Sequence, residues 1–147
     1  MEITNLCDKT DFAKTIADRV WRAWWRDSDV SLSELQSGIE QMAVGRSIPL
    51  AFVAHDGSRY LGSVLLIEND LEARPQYSPW IAALWVEPVA RSRGIAGDLM
   101  QAARLEATRL GFQTCYLCAT DANAPYYQAR GFDMIERSVS GMNVFTI

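Results

Sequence analysis

The chain has 147 residues, 49% of them hydrophobic, and a formal net charge of −4. That length and composition favour one globular domain, residues 1–147, with one core. The acidic balance argues against nucleic acid as the main partner, because neutralising phosphates needs concentrated Lys and Arg. No segment approaches the roughly 18 consecutive apolar residues that span a bilayer, so no membrane partner is expected.

Glu2 to Leu6 reads as a short first strand. Asp11 to Arg26 reads as a helix, because Phe12, Ile16, Val20 and Trp24 recur at i+4 and form one apolar face. Trp25 projects from the polar side among Lys14, Asp18 and Arg22, with Trp21 at the border. Ser31-Leu32-Ser33-Glu34 has the form of a capping box and opens a second helix carrying Leu35, Ile39 and Met42, with Gly45 as its stop. Leu50 to His55 and Tyr60 to Ile67 flank Asp56-Gly57-Ser58-Arg59, which predicts a hairpin. A polar loop with two prolines, Glu68 to Pro79, follows. Trp80 to Val86 is apolar throughout, as suits a central strand covered on both faces. A helix from about Gly94 to Leu110 stops at Gly111. Gln113 to Ala119 is a strand. A short helix through Arg130 is capped by Asp121 or Asn123 and has Pro125 in its first turn. Phe132 to Val139 and Met142 to Ile147 close the chain as two strands around Ser140-Gly141. The order β-α-α-β-β-β-α-β-α-β-β predicts an α/β (α+β) layered domain with a mixed sheet.

Three cysteines, Cys7, Cys115 and Cys118, do not suggest a disulfide scaffold. Cys115 and Cys118 have metal-ligand spacing, but three residues along a strand point to opposite faces. Only His55 is available as a histidine, so no metal site is expected. The N-terminal residues lack a basic start followed by an apolar run, so no signal peptide is read and a cytoplasmic location is the expectation.

The chemistry concentrates in Arg91-Ser92-Arg93-Gly94-Ile95-Ala96-Gly97, between the apolar strand and the long helix. A strand, a tight glycine turn and a helix start leave backbone N–H groups without intrahelical partners, which suits an anion. No Gly-Lys-Ser/Thr follows, so this is not a Walker loop, and the spacing is not that of a dinucleotide-binding glycine triplet. An Arg, two residues, a Gly, one residue and then Ala96 resembles the pyrophosphate loop of the GCN5-related N-acetyltransferases (GNAT). Asn123-Ala124-Pro125-Tyr126-Tyr127-Gln128-Ala129-Arg130-Gly131-Phe132 resembles the later signature of that family, in which Tyr is followed four residues on by Gly-Phe. Tyr126 stands where an apolar residue is usual. The predicted element order is similar to that family from end to end.

The resemblance implies a mixed, mostly antiparallel sheet flanked by helices, with acetyl-CoA as cofactor. It implies that the amides of residues 91–97 cradle the pyrophosphate. It also implies that the strand around Leu84, Trp85 and Val86 carries a bulge and pairs with pantetheine, and that Asn123 and Tyr127 adjoin the cofactor. The implied reaction is direct transfer of an acetyl group to a primary amine of a small molecule or a peptide N-terminus. Tyr127 is then the general acid toward the leaving sulfur, and a backbone N–H near Leu84, Trp85 or Val86 stabilises the developing oxyanion. Asn123 serves equally well as a helix cap. An alkyl ammonium near pKa ~10.4 costs about 4–5 kcal/mol to deprotonate at neutral pH. Where some members carry a Glu base, this chain has Trp80, so the base stays open among Glu68, Asp70, Glu72, Glu87 and His55. Trp21, Trp25, Tyr77 and Trp80 are candidates for the acceptor pocket, and an exposed Trp25 also suits a homodimer surface. Arg22, Arg26, Arg74 and Arg137 suit a carboxylate, whereas Asp27, Asp29, Asp70 and Glu72 suit a cation. The alternative to an enzyme is a catalytically silent acyl-CoA-binding or protein-interaction module.

Overall fold

The computed structural model describes residues 1–147. Strand β1 (Glu2–Asn5) leads into helices α1 (Ala13–Val20) and α2 (Leu32–Met42). Strands β2 (Leu50–Asp56), β3 (Arg59–Ile67) and β4 (Trp80–Val86) follow, then helix α3 (Ile95–Arg109), β5 (Tyr116–Ala119), α4 (Ala124–Gln128), β6 (Asp133–Val139) and β7 (Met142–Thr146). The seven strands form one sheet in the order β1-β2-β3-β4-β5-β7-β6, antiparallel throughout except where β4 meets β5. No helix is long and apolar enough to cross a membrane.

Helices cover both sheet faces, which explains the apolar character of β2 and β3. Leu50, Phe52 and Ala54 point into the core beneath α3, where Leu99, Met100, Ala103 and Ala107 meet them. Ala51 and Val53 point the other way, toward Ile16, Ala17 and Val20 of α1 and Ile39 of α2. This alternation is the period of two expected of a strand. Ser31 caps α2 as the sequence predicts: its hydroxyl accepts from the Glu34 N–H and the Glu34 carboxylate accepts from the Ser31 N–H. The helix ends at Met42, before Gly45.

The first helix differs from expectation in its last turn. Residues Trp21–Trp25 are π-helical, with the wider i→i+5 spacing. Each residue therefore advances less around the axis, and Trp24 does not fall beneath Val20 on the buried face. Trp24 is 52% exposed and Trp25 41% exposed. Trp21 is tied instead to the segment that follows, its indole N–H donating to the Val30 carbonyl at 2.9 Å.

Two irregularities open the middle of the sheet. Pairing between β3 and β4 shifts register, so that Ser63 meets Trp85 and Leu65 meets Ala82. Ala83 and Leu84 thus oppose the single residue Val64, and Ala83 takes φ +50°. A left-handed alanine costs roughly 1–2 kcal/mol, and bulges of this kind re-aim backbone groups. The bulge brings the Trp85 carbonyl close to β3, where a Cβ on Gly62 would approach it to 2.7 Å; only glycine fits there. Beyond the bulge, β4 and β5 separate: Trp80 pairs with Tyr116, and no later β4 residue pairs with β5.

The loop between β3 and β4 is fastened to the far edge of the sheet. Arg74 donates from Nε and Nη2 to the Glu136 carboxylate on β6 at 2.9 and 2.7 Å, and the Tyr77 hydroxyl donates to the same carboxylate at 2.6 Å. These donors, Arg74 first, hold the Glu136 pKa at about 2, against an ordinary value of 4.5. Because the folded value is the depressed one, the stabilisation is complete above about pH 4.5 and is lost as pH falls through the folded value near 2. Glu136→Gln is expected to lower the urea midpoint at pH 7. The gap to the parent protein should close as the titration is repeated from pH 4.5 down to 2.

Candidate functional site

The separation of β4 from β5 leaves one edge of the bulged strand without a β partner. Two clefts use that opening. The first, of about 470 Å³, runs from Leu84, Trp85 and Val86 along the turn after β4 to the start of α3, and is closed by Asn123, Tyr126, Tyr127 and Arg130 of the α4 region. The second, of about 460 Å³, lies between Ile81–Leu84 of β4, Leu117–Thr120 beside β5, Asp70 and Leu71 of the loop, Met142 of β7 and the rings of Trp24 and Trp25. Both clefts are lined by Leu84, Asn123 and Tyr127.

The turn before α3 is a row of donors. None of the N–H groups of residues 92–97 donates to another group of the protein; the first bond of the helix is from the Asp98 N–H to the Gly94 carbonyl, at 3.1 Å. Gly94 makes the turn at φ +81°, a conformation closed to most side chains, and Ser92 sits at φ +63°. Unpaired amides at the positive end of a helix attract a phosphate or diphosphate. Arg91 does not reach out freely. Its Nε donates to the Val86 carbonyl at 2.9 Å and its guanidinium lies 4.8 Å from the centre of the Trp85 ring, so it clamps the turn against β4. Ser92, Gly94, Ile95, Ala96 and Gly97 line the cleft with Arg91, but Arg93 does not. Arg93 acts elsewhere, adding to the N-terminal ammonium in lowering the pKa of Asp56. Arg130 provides the second cation of this cleft, its guanidinium 3.5 Å from the centre of the Tyr126 ring. The sequence did carry a signal for this residue: Tyr126 and Arg130 are four apart at a helix and share a face.

Tyr127 is fixed by its ring and free at its hydroxyl. The ring makes edge contacts with Tyr126, at 5.1 Å between centroids, and with Phe132, at 5.7 Å, and lies 6.0 Å from Phe145. Burial, reinforced by Tyr126 and Cys118, raises its pKa and keeps the phenol protonated, and no hydrogen bond contributes to the shift. Asn123 precedes α4, but its side chain makes no capping bond; it faces both clefts instead. The other predicted cap, Asp121, accepts from the Asn143 side chain at 2.6 Å.

The aromatic residues proposed for the acceptor pocket divide. Trp25 lines the second cleft, together with Trp24, which the helical period had placed in the core. Trp21, Tyr77 and Trp80 line neither cleft. Trp80 is 0% exposed; its indole N–H donates to the Tyr77 carbonyl at 2.7 Å, and Tyr77 stacks on Tyr116 at 4.5 Å, so these rings form a small core under the loop. Among the candidate bases, Asp70 faces the second cleft. Glu87 is engaged by Arg19 and by the Trp85 indole, and His55 is buried between Thr4 and the Gly57 carbonyl. Glu68 and Glu72 are exposed on the loop and line neither cleft. Cys115 packs into the main core, whereas Cys118 opens to the second cleft, so the two thiols diverge as a strand requires.

Solved structures share this architecture at low identity. An aminoglycoside 6'-N-acetyltransferase complexed with coenzyme A superposes with TM-score 0.76 at 15% identity, over 100% of this chain and 96% of that one. An acetyltransferase from Streptococcus agalactiae gives TM-score 0.70 at 16% identity, over 99% and 96% of the two chains. A GCN5-related N-acetyltransferase from Ralstonia eutropha gives 0.62 at 22% identity, over 95% and 99%. No curated protein matches the chain in a sequence comparison. A family model described as an acetyltransferase (GNAT) domain matches residues 49–134, which hold the bulged strand, the open turn and Tyr127. That match spans more than half the chain, and with the fold it establishes that the protein belongs to the GNAT family of acetyltransferases.

Proposed function

We propose that the chain, as a single domain, moves an acetyl group from acetyl-CoA to a primary amine of a small molecule or a peptide N-terminus by direct attack. The observation that carries this reading is the pair of clefts that share Leu84, Asn123 and Tyr127. One is lined with unpaired amides suited to a diphosphate, and the other is free to admit an acceptor. Acetyl-CoA, when bound, supplies an acetyl group activated as a thioester. The N–H groups of residues 92–97 hold the diphosphate, with Arg91 fixing their turn and Arg130 adding charge. The unpaired edge of β4 holds the amide-bearing arm, and a main-chain N–H among Leu84, Trp85 and Val86 faces the negative charge that develops on the carbonyl oxygen. The ammonium first gives a proton to solvent; the neutral nitrogen then bonds to the acyl carbon as the carbon–sulfur bond breaks and sheds a second proton to solvent, from which Tyr127 is reprotonated after turnover. Tyr127 supplies a hydrogen bond, and at the end a proton, to the departing sulfur.

The test is release of free CoA thiol from acetyl-CoA in the presence of polyamines, aminoglycosides, amino acids and peptides with free N-termini. Amine-dependent release supports the reading. Trp80 standing where a Glu base is found in some relatives favours one second reading, a silent acyl-CoA-binding module. Binding of acetyl-CoA with no release under any amine would select it.

A further inference from the structure

The second cleft also describes its occupant, an argument that rests on the acyl-transfer reading above. Its walls are mostly apolar, with Thr120, Asn123 and the Tyr127 hydroxyl as neutral polar groups, and Asp70 is the one charged side chain that lines it. No Lys or Arg pairs with Asp70, in contrast to Glu136 and Glu87, which each hold an arginine. Its hydrogen-bond donor is the Cys118 thiol, at 3.3 Å. Burial first, and then the negative charge of Asp70, push that thiol up to about 12, so Cys118 stays a neutral donor that orients the carboxylate. Asp70 is exposed at the mouth of the cleft, and partial desolvation by the neighbouring walls raises its pKa. A carboxylate in such surroundings gains most from a cation that arrives with the ligand. The indole rings of Trp24 and Trp25 are half-exposed at the same cleft, with Trp24 edge-on to Trp85 at 6.4 Å. Such rings favour aromatic or alkyl groups, and their faces attract a cation.

We propose that the acceptor is a primary amine carrying a single positive charge on an aromatic or alkyl body, its ammonium on Asp70 and its body against Trp24, Trp25, Leu71 and Met142. A polyamine or aminoglycoside brings several ammonium groups. The cleft offers no second carboxylate to an ammonium beyond the first, and most of its lining is apolar.

The experiment compares phenethylamine, hexylamine, spermidine and kanamycin as acceptors by CoA thiol release. It also measures phenethylamine binding to the CoA-saturated protein by calorimetry. Expected is a kcat/KM for phenethylamine and hexylamine at least about 10-fold above that of either polycation. Asp70→Asn should weaken phenethylamine roughly 10- to 100-fold, the range for losing a charged hydrogen bond, with acetyl-CoA affinity unchanged. Trp25→Ala should weaken phenethylamine more than methylamine. Preference for spermidine or kanamycin, or phenethylamine binding unmoved by Asp70→Asn, overturns the acceptor assignment and leaves acyl transfer standing. Asp70-dependent binding of phenethylamine with no thiol release from any amine overturns acyl transfer, and with it the acceptor role, while supporting Asp70 and the two indoles as a site for a monocationic amine.

Discussion

Replacing Tyr127 with phenylalanine is expected to lower kcat by roughly 100-fold or more, with acetyl-CoA affinity within a few-fold of the parent. The contacts that hold Tyr127 belong to its ring, against Tyr126, Phe132 and Phe145, and phenylalanine keeps all of them. No hydrogen bond of the hydroxyl contributes to the Tyr127 pKa, so folding should be little affected by its removal. What disappears is the donor available to the leaving sulfur. At ordinary pKa values of ~10 for the phenol and ~8.5 for the thiol, complete proton transfer is uphill by about 2 kcal/mol. Burial of Tyr127 makes it more so. Its contribution is therefore greatest as a hydrogen bond to sulfur while negative charge accumulates there. That interaction is absent from the ground state, so its loss should fall on kcat and kcat/KM equally. Single-turnover acetylation with both variants saturated in acetyl-CoA measures this step apart from product release. Equal rates would remove Tyr127 from the chemistry.

How far the sequence revealed this arrangement depended on whether each feature was local. The turn from Arg91 to Gly97 and the segment around Tyr127 are contiguous, and their neighbours in space are mostly their neighbours in the chain. The borders of β4 could be read because Pro79 and Glu87-Pro88 punctuate an unbroken apolar run. The bulge at Ala83 and Leu84 could not, since nothing in an alanine pair announces a left-handed residue. A 3.6-residue period places Trp24 in the core, and one π turn is enough to move it to the cleft. Trp80 and Tyr77 were candidates for the pocket because a strand pattern says that a residue is buried or exposed without saying against what. Their partner, Tyr116, arrives from β5. The same holds for Asp70: several acids share one polar loop, and the one that lines the second cleft is decided by the path of that loop, which is fastened through Arg74 and Tyr77 to a distant strand. Asn123 is open in the sequence to two roles, cofactor neighbour or helix cap; its side chain makes no capping bond and lines the first cleft.

Gly97→Glu should raise stability and abolish acetyl-CoA binding, and the opposite signs make it the sharper test of the turn. Gly97 is the third residue of α3. Glycine inside a helix costs roughly 0.5–1 kcal/mol relative to ordinary residues. A carboxylate in the first turn of a helix contributes about 0.3–1 kcal/mol against the exposed N–H groups. A Cβ at this position meets nothing within 4 Å, so no clash offsets either gain. The sum is about 1 kcal/mol, or a Tm higher by about 2–4 °C for a chain of this size. The ligand sees the same substitution differently. A side chain at position 97 enters the first cleft, and its charge takes the place intended for a diphosphate. Thermal unfolding with and without acetyl-CoA reads both effects at once: a higher baseline Tm, and no further rise on adding ligand. Gly97→Ala separates the two causes, because it carries the helix gain without the charge and should retain a ligand-induced rise. A Glu variant that still rises with acetyl-CoA as the parent does would mean that the diphosphate lies elsewhere. The amides of residues 92–97 would then be an ordinary solvated helix end.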